Sequence, residues 1–345
     1  MNAKTMIRVL AVGAVLTFGS AAWAQTARPP HIMVLFDTSG SMLLNLAGTA
    51  FTGGDGSSSP APGGELCCPG WDGESSRMFI AKDVLREVVW SVGEDEVVFG
   101  LASYQQTEGA PWGQCSEVFP GYCAPSGGPT SCNTWWDSTY CPSNETMPMP
   151  YTAGDCSTAA LDGGSILVRY TDSSPPADIL EWVDTHEAWR GYAGGTVVNR
   201  ELRADGFTPL AGATLTLESY FAGLAGASAP CEQFAVILTD GGQSPQCDNH
   251  GFAEDAAAAL EARGVTVYVI AFAISDSDPA ALDTMDWMAI YGGTEFARRA
   301  NSRDQLRAAF AEIIEDAIQV EVCNNYDDDC DGLTDEDLYR PCSTA

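Results

Sequence analysis

Apolar positions fall into two rhythms along this chain. The first is a short unbroken run bounded by polar or turn residues: His31 to Phe36, Val97 to Tyr104, Phe234 to Thr239 and Val265 to Ser275, with a shorter run at Ile166 to Tyr170 and a weak one at Thr294 to Arg298. Such runs read as strands buried on both faces. The second is a helical spacing, as in Met78, Ala81, Val84, Leu85 and Val88 between Met78 and Trp90. The spacing predicts further helices at Asp178 to Asp184, at Pro209 to Leu224 with Pro209 at its start, at Ala253 to Arg263 closed by Gly264, and at Ala280 to Tyr291. A last helix opens with Ser302 and Gln305 as a capping box and carries Leu306, Ala309, Phe310, Ile313 and Ile314 on one face. Alternating strands and helices predict an α/β fold: a doubly wound, mostly parallel sheet covered on both faces.

Two stretches break the rhythm. Residues 44–76 are rich in Gly, Ser and Pro and contain Cys67 and Cys68. Residues 105–164 hold Cys115, Cys123, Cys132, Cys141 and Cys156 among Trp112, Tyr122, Trp135, Trp136 and Tyr140. Both read as disulfide-braced loop insertions. Cys231 and Cys247 flank one strand and its following loop, which makes them candidate partners. That pairing leaves seven cysteines in the insertions against Cys323, Cys330 and Cys342 in the tail. With every thiol paired, an odd number of bridges then joins tail to insertions.

Composition adds a compartment. Lys4 and Arg8 precede the apolar run VLAVGAVLTFG, and Ala22-Trp23-Ala24 forms a small-x-small site. Residues 1–24 therefore read as a secretory signal peptide, with no other run approaching membrane-spanning length. The even count of 12 cysteines suits an oxidising compartment. The expected location is periplasmic, cell-surface or extracellular. The formal charge of -31 becomes -33 once Lys4 and Arg8 are removed, a balance that repels nucleic acid and anionic membrane and suits divalent cations.

The candidate chemistry lies where strands end. The first strand runs into Asp37-Thr38-Ser39-Gly40-Ser41, a carboxylate and two hydroxyls at alternate positions. Only one other strand ends in a similarly placed acid, at Leu238-Thr239-Asp240-Gly241-Gly242. In an open parallel sheet ligands bind beyond the carboxyl ends of the strands, at the point where the order reverses. Between these two strands in sequence lies Phe207-Thr208-Pro209-Leu210, just before a helix start.

These three pieces, in this order, resemble the von Willebrand factor A (VWA) domain and its metal-ion-dependent adhesion site over roughly residues 30–320. The resemblance implies that Ser39 and Ser41 bind a cation directly. Asp37 and Asp240 contribute charge directly or through water, and Thr208 is a ligand that can move in or out. Thr196, Thr214 and Thr216 are nearby alternatives, but only Thr208 has the Thr-Pro-Leu context. Hard oxygen donors suit Mg²⁺, with Mn²⁺ or Ca²⁺ as substitutes. The mechanism implied is binding: a carboxylate from a protein or cell-surface ligand completes the coordination. The insertions depart from the family's minimal form, and either crown this face or cover it.

Residues 321–345 form an acidic tail. Asp327, Asp329, Asp331 and Gly332 match the first half of an EF-hand-type calcium loop, with Leu333 offering a carbonyl and Asp335 in the later ligand position. Leu338 stands where the bidentate acid belongs, so a regular EF-hand is excluded, and Glu336 or Asp337 is the substitute. The segment resembles Cys-flanked, calcium-binding Asp repeats of bacterial surface proteins, thrombospondin type 3 and dockerin loops. That resemblance implies a structural Ca²⁺.

An enzyme is not expected. His31, His186 and His250 are scattered, His31 reads as structural, and no H-E-x-x-H, G-x-S-x-G or P-loop occurs. The expected function is adhesion or recognition through the cation. The competing readings are a calcium-braced surface or pilus-associated subunit whose cation site does not function and, less in keeping with the residues, a metal-dependent hydrolase.

Overall fold

The computed structural model describes residues 29–50, 75–93, 96–104, 163–172, 175–184, 207–224 and 233–318, with positions 110–111, 148–149, 156, 202 and 204 between them. The elements are β1 (His31–Phe36), α1 (Arg77–Ser91), β2 (Val98–Tyr104), β3 (Gly164–Val168), α2 (Pro175–Trp182), α3 (Leu210–Gly223), β4 (Gln233–Thr239), α4 (Ala253–Glu261), β5 (Val265–Phe272), α5 (Pro279–Tyr291), β6 (Arg298–Ala300) and α6 (Arg303–Ala317). Short 3₁₀ turns follow β1 at Gly40–Leu43 and β4 at Pro245–His250.

Six of the strands form one sheet in the order β3-β2-β1-β4-β5-β6. β1 pairs in parallel with β2 and β4, as do β4 with β5 and β5 with β6. The order reverses between β1 and β4, which makes their carboxyl ends the switch point. β3 runs antiparallel to β2, with a register shift between Leu101 and Ala102. The expected doubly wound, mostly parallel α/β architecture is the one observed.

The alternation of side chains along β1 shows why the run is apolar throughout. Ile32, Val34 and Phe36 face one core with Val84 and Leu85 of α1, Ile179 of α2 and Leu306 and Phe310 of α6. Met33 and Leu35 face the other, with Leu217 of α3, Leu260 of α4 and Met285 of α5. Helices cover both faces, so neither face of the strand can be polar. Among the described residues no helix is long and apolar enough to cross a membrane.

Several expectations shift. The weak strand at Thr294 to Arg298 is displaced to Arg298–Ala300. Thr294 instead closes α5: its backbone N–H donates to the Ala289 carbonyl at 2.9 Å, and its hydroxyl lies 3.0 Å from the Ala289 and Val267 carbonyls. β5 stops at Phe272 because Ala273 turns the chain with φ 55°. Ser302 caps α6 by accepting from the Gln305 N–H at 3.2 Å, whereas the Gln305 side chain takes the Asn301 N–H at 2.7 Å.

The pairing of Cys231 with Cys247 is overturned. Cys247 is bonded to Cys156, with a Cα–Cα distance of 5.0 Å. The physical reason is valence. A sulfur forms one disulfide, so the bond to Cys156 leaves Cys247 no valence for Cys231. With Cys156 and Cys247 removed, six insertion cysteines remain against Cys231 and the three tail cysteines. Full pairing now demands an even number of cross-links between those groups, so the odd-number expectation lapses.

The proposed signal peptide, most of both insertions, His186, Thr196, Cys231 and the whole tail lie outside the described residues. That includes Asp327, Asp329, Asp331, Leu333, Asp335 and Glu336.

Candidate metal centre

The site grows out of the β1–β4 ladder. The Asp37 N–H continues the pairing by donating to the Leu238 carbonyl at 3.0 Å. Asp37 therefore starts the turn under the control of a buried strand, and it is 0% exposed. Its carboxylate organises three donors: the Ser39 N–H at 2.7 Å, the Thr239 hydroxyl at 2.7 Å and the Asp240 N–H at 3.2 Å. The Tyr104 hydroxyl, at the end of β2, donates to Thr239 at 3.2 Å.

A chain of oxygens crosses from one strand end to the other. Ser39 Oγ lies 3.0 Å from Ser41 Oγ, and Ser41 Oγ donates to Asp240 Oδ1 at 2.6 Å. Asp240 Oδ2 accepts from Arg77 Nη1 at 2.7 Å. Thr208, in the segment before α3, is tied to the loop that follows Asp240. Its N–H donates to the Ser244 hydroxyl at 3.0 Å and its carbonyl accepts from the Ser244 N–H at 3.0 Å. Among the described residues its own hydroxyl makes no hydrogen bond to Asp37, Ser39, Ser41 or Asp240. Gln243 of the same loop accepts from the Ala211 N–H at 2.7 Å, which ties the β4 loop to the start of α3.

Thr214 and Thr216 are used elsewhere. Both donate to carbonyls one turn back, Leu210 at 2.8 Å and Gly212 at 3.1 Å, and Thr216 also accepts from the Gly164 N–H. Thr208 alone of the described candidates is bonded to the loop that follows Asp240.

The electrostatics are those of excess buried negative charge. Burial and the neighbouring Asp37 charge push the Asp240 carboxyl up to about 7, against the opposing pull of Arg77 and the Ser41 hydrogen bond. Burial, followed by the Asp37 charge, pushes the Tyr104 hydroxyl well above its ordinary value. A divalent cation among these oxygens would offset the Asp37 charge, which is the second cause of both shifts after burial. Among the described residues no group of three or more His, Cys, Asp and Glu is placed to hold a metal. The fit therefore rests on two carboxylates with hydroxyls and water, a donor set suited to Mg²⁺ and poor for a soft metal.

Sequence reading passed over Arg77, Thr239, Tyr104 and Ser244. Arg77 carried one usable signal, a cation at the first position of an otherwise apolar-faced helix. Outside the site, His31 packs on Tyr170 at 4.5 Å between ring centroids, and burial pulls it down to about 4.

No protein-family profile matches the chain, and no curated protein matches it. Solved structures do. Proximal thread matrix protein 1 from the mussel byssus matches with TM-score 0.45 and 15% identity, over 87% of this chain and 50% of that one. The PilB minor pilin from Streptococcus sanguinis matches with TM-score 0.42 and 13% identity, over 85% and 62%. Manganese-loaded TRAP protein from Plasmodium vivax matches with TM-score 0.39 and 11% identity, over 84% and 74%. The chain spans about half the length of the mussel protein. At these scores the likeness carries no functional argument.

Proposed function

We propose that this chain is a VWA-type module that binds a protein or surface ligand through a divalent cation. Ser39, Ser41 and Thr208 would hold the ion with hydroxyl oxygens, and Asp37 and Asp240 would supply charge. The cation supplies a Lewis-acidic position for a carboxylate oxygen of the ligand. The chain's own residues prepare that position: Asp37 fixes the turn, Thr239 and Tyr104 fix Asp37, and Ser244 holds Thr208 at the rim. The role is adhesion or recognition outside the cytoplasm rather than catalysis.

One observation carries this reading. Oxygens from residues as far apart as Ser41 and Asp240 converge within hydrogen-bond distance at the switch point, where buried negative charge is in excess. The Cys156–Cys247 bridge supports a role for the second insertion in choosing the ligand. It fastens that insertion three residues from Ser244, which in turn holds Thr208. The second reading, a structural subunit with an idle site, draws on Arg77, which already gives Asp240 a cation.

Calorimetry on metal-stripped protein separates the two. Mg²⁺ is expected to bind wild type, with loss of at least tenfold in affinity in Ser39→Ala/Ser41→Ala. Absence of any Mg²⁺ or Mn²⁺ event in wild type would establish the structural reading instead. We also propose a calcium site in the tail, at Asp327, Asp329, Asp331, Leu333, Asp335 and Glu336. Its expected Ca²⁺ event disappears in protein truncated after Val322 and survives the serine substitutions.

A further inference from the structure

Arg77 opens α1, and its side chain is 8% exposed while that of its partner Asp240 is 0% exposed. A guanidinium keeps its proton under all ordinary conditions, so this is a permanent positive charge inside the candidate metal centre. It is also held in place. Its Nε donates to the Asn45 carbonyl at 3.1 Å, and its backbone N–H donates to the Leu44 carbonyl at 2.9 Å. The turn beyond is shaped to receive it. Asn45 Oδ1 accepts from the Thr49 N–H at 2.9 Å, and Gly48 takes φ +66° with its α-carbon facing the guanidinium. A Cβ at Gly48 would stand 2.8 Å from Nη2. The Asn45 carbonyl holds this side chain independently of Asp240.

Formal charges then decide the matter. Asp37 and Asp240 bring two negative charges, and Arg77 cancels one. With a divalent cation bound, the centre is left with one net positive charge; without Arg77 it would be neutral. One carboxylate from a ligand brings the Arg77-containing centre to neutrality. In addition, Asp240 Oδ1 is engaged by Ser41 and Oδ2 by Arg77, so this acid divides its charge between Arg77 and the ion.

Resting on the function proposed above, we infer that Arg77 is the specificity-determining residue that fits this cation site to anionic ligands. It weakens the hold on the cation and strengthens the attraction of the bound cation for a carboxylate. The rest of the protein works in the opposite direction, with a formal charge of -31 that repels anions at a distance. A local positive centre inside an acidic molecule selects a single acidic side chain in a neutral or basic surround.

The test uses Mn²⁺ as the cation, read by loss of the free-ion paramagnetic resonance signal, and acetate as the carboxylate probe. Wild type, Arg77→Lys and Arg77→Gln are compared after thermal melts establish that each is folded. Arg77→Gln is expected to bind Mn²⁺ at least about tenfold more tightly than wild type, and Arg77→Lys to stay within about threefold of it. Acetate is expected to tighten Mn²⁺ binding in wild type, with that linkage lost in Arg77→Gln. Equal or weaker Mn²⁺ binding in folded Arg77→Gln overturns the inference while leaving the metal site standing. If Arg77→Gln does not fold, the acetate arm on wild type decides: no tightening overturns the inference. No Mn²⁺ binding by wild type overturns the metal site and the inference with it.

Discussion

Helix α1 takes part in two guanidinium–carboxylate clusters of like chemistry and different surroundings. At its first turn Arg77 meets Asp240, both buried. On its outer side Asp83 and Glu87 receive Arg303 of α6 at 2.7 and 2.9 Å, and Arg307 reaches Glu87 at 3.3 Å. The arginines of the outer cluster are 42% and 53% exposed. Water can replace any partner there, and the acids and bases back each other up. Among the described residues the inner pair has no second ion pair to fall back on. Burial, rather than the number of ion pairs, decides which cluster loses most when one partner is removed.

The sharpest way to break this comparison is to remove one inner partner. Asp240→Asn leaves a guanidinium that cannot shed its charge, and is expected to cost about 3–5 kcal/mol in urea unfolding. Arg77→Gln leaves a carboxyl whose proton affinity burial has already raised, so it is expected to cost less, about 2 kcal/mol. Equal losses would remove the asymmetry. Next in size is the bridge that fastens the same face. Cys247→Ser opens a link spanning 91 residues and is expected to cost about 2–4 kcal/mol under non-reducing conditions.

His31, at the opposite end of β1 from Asp37, gives a titrating version of the contrast. Burial holds it at about 4 against an ordinary 6.5, so the unfolded chain takes up a proton that the folded chain refuses between those values. Its contribution to stability is therefore lost as pH falls from 6.5 towards 4. The group is partly exposed, which limits the slope to about 1 kcal/mol over that window, and His31→Phe should flatten it in pH-dependent melts. The smallest effect belongs to the outer cluster. Arg303→Ala is expected to cost about 0.5 kcal/mol, shrinking further in high salt.

How much of this was legible in the sequence depends on how local each feature is. Asp37, Ser39, Ser41 and Asp240 could be placed because each follows an apolar run whose burial on both faces leaves little choice of conformation. The switch-point rule then brings the two strand ends together. Thr208 could be placed through Pro209, the N-cap of α3. Arg77 could not, because it meets Asp240 across 163 residues, and its place at the start of an apolar-faced helix does not name a partner. Thr239 and Tyr104 were read as the ends of strands, which they are, while their hydroxyls turn inward to Asp37. The sense of β3 depends on a long connection with no periodic pattern. The partner of Cys247 comes from that same connection, 91 residues away, where nearness in sequence gives no guide.

The central claim is that a divalent cation sits among Ser39, Ser41 and Asp240. The most direct test is anomalous diffraction from crystals of the protein grown with Mn²⁺, recorded at the manganese edge. The account predicts an anomalous peak bounded by Ser39 Oγ and Ser41 Oγ, on the Asp240 side of the β1–β4 junction. Crystals that show no peak there, with the Arg77–Asp240 pair and the serine hydroxyls bonded as they are now, would contradict it.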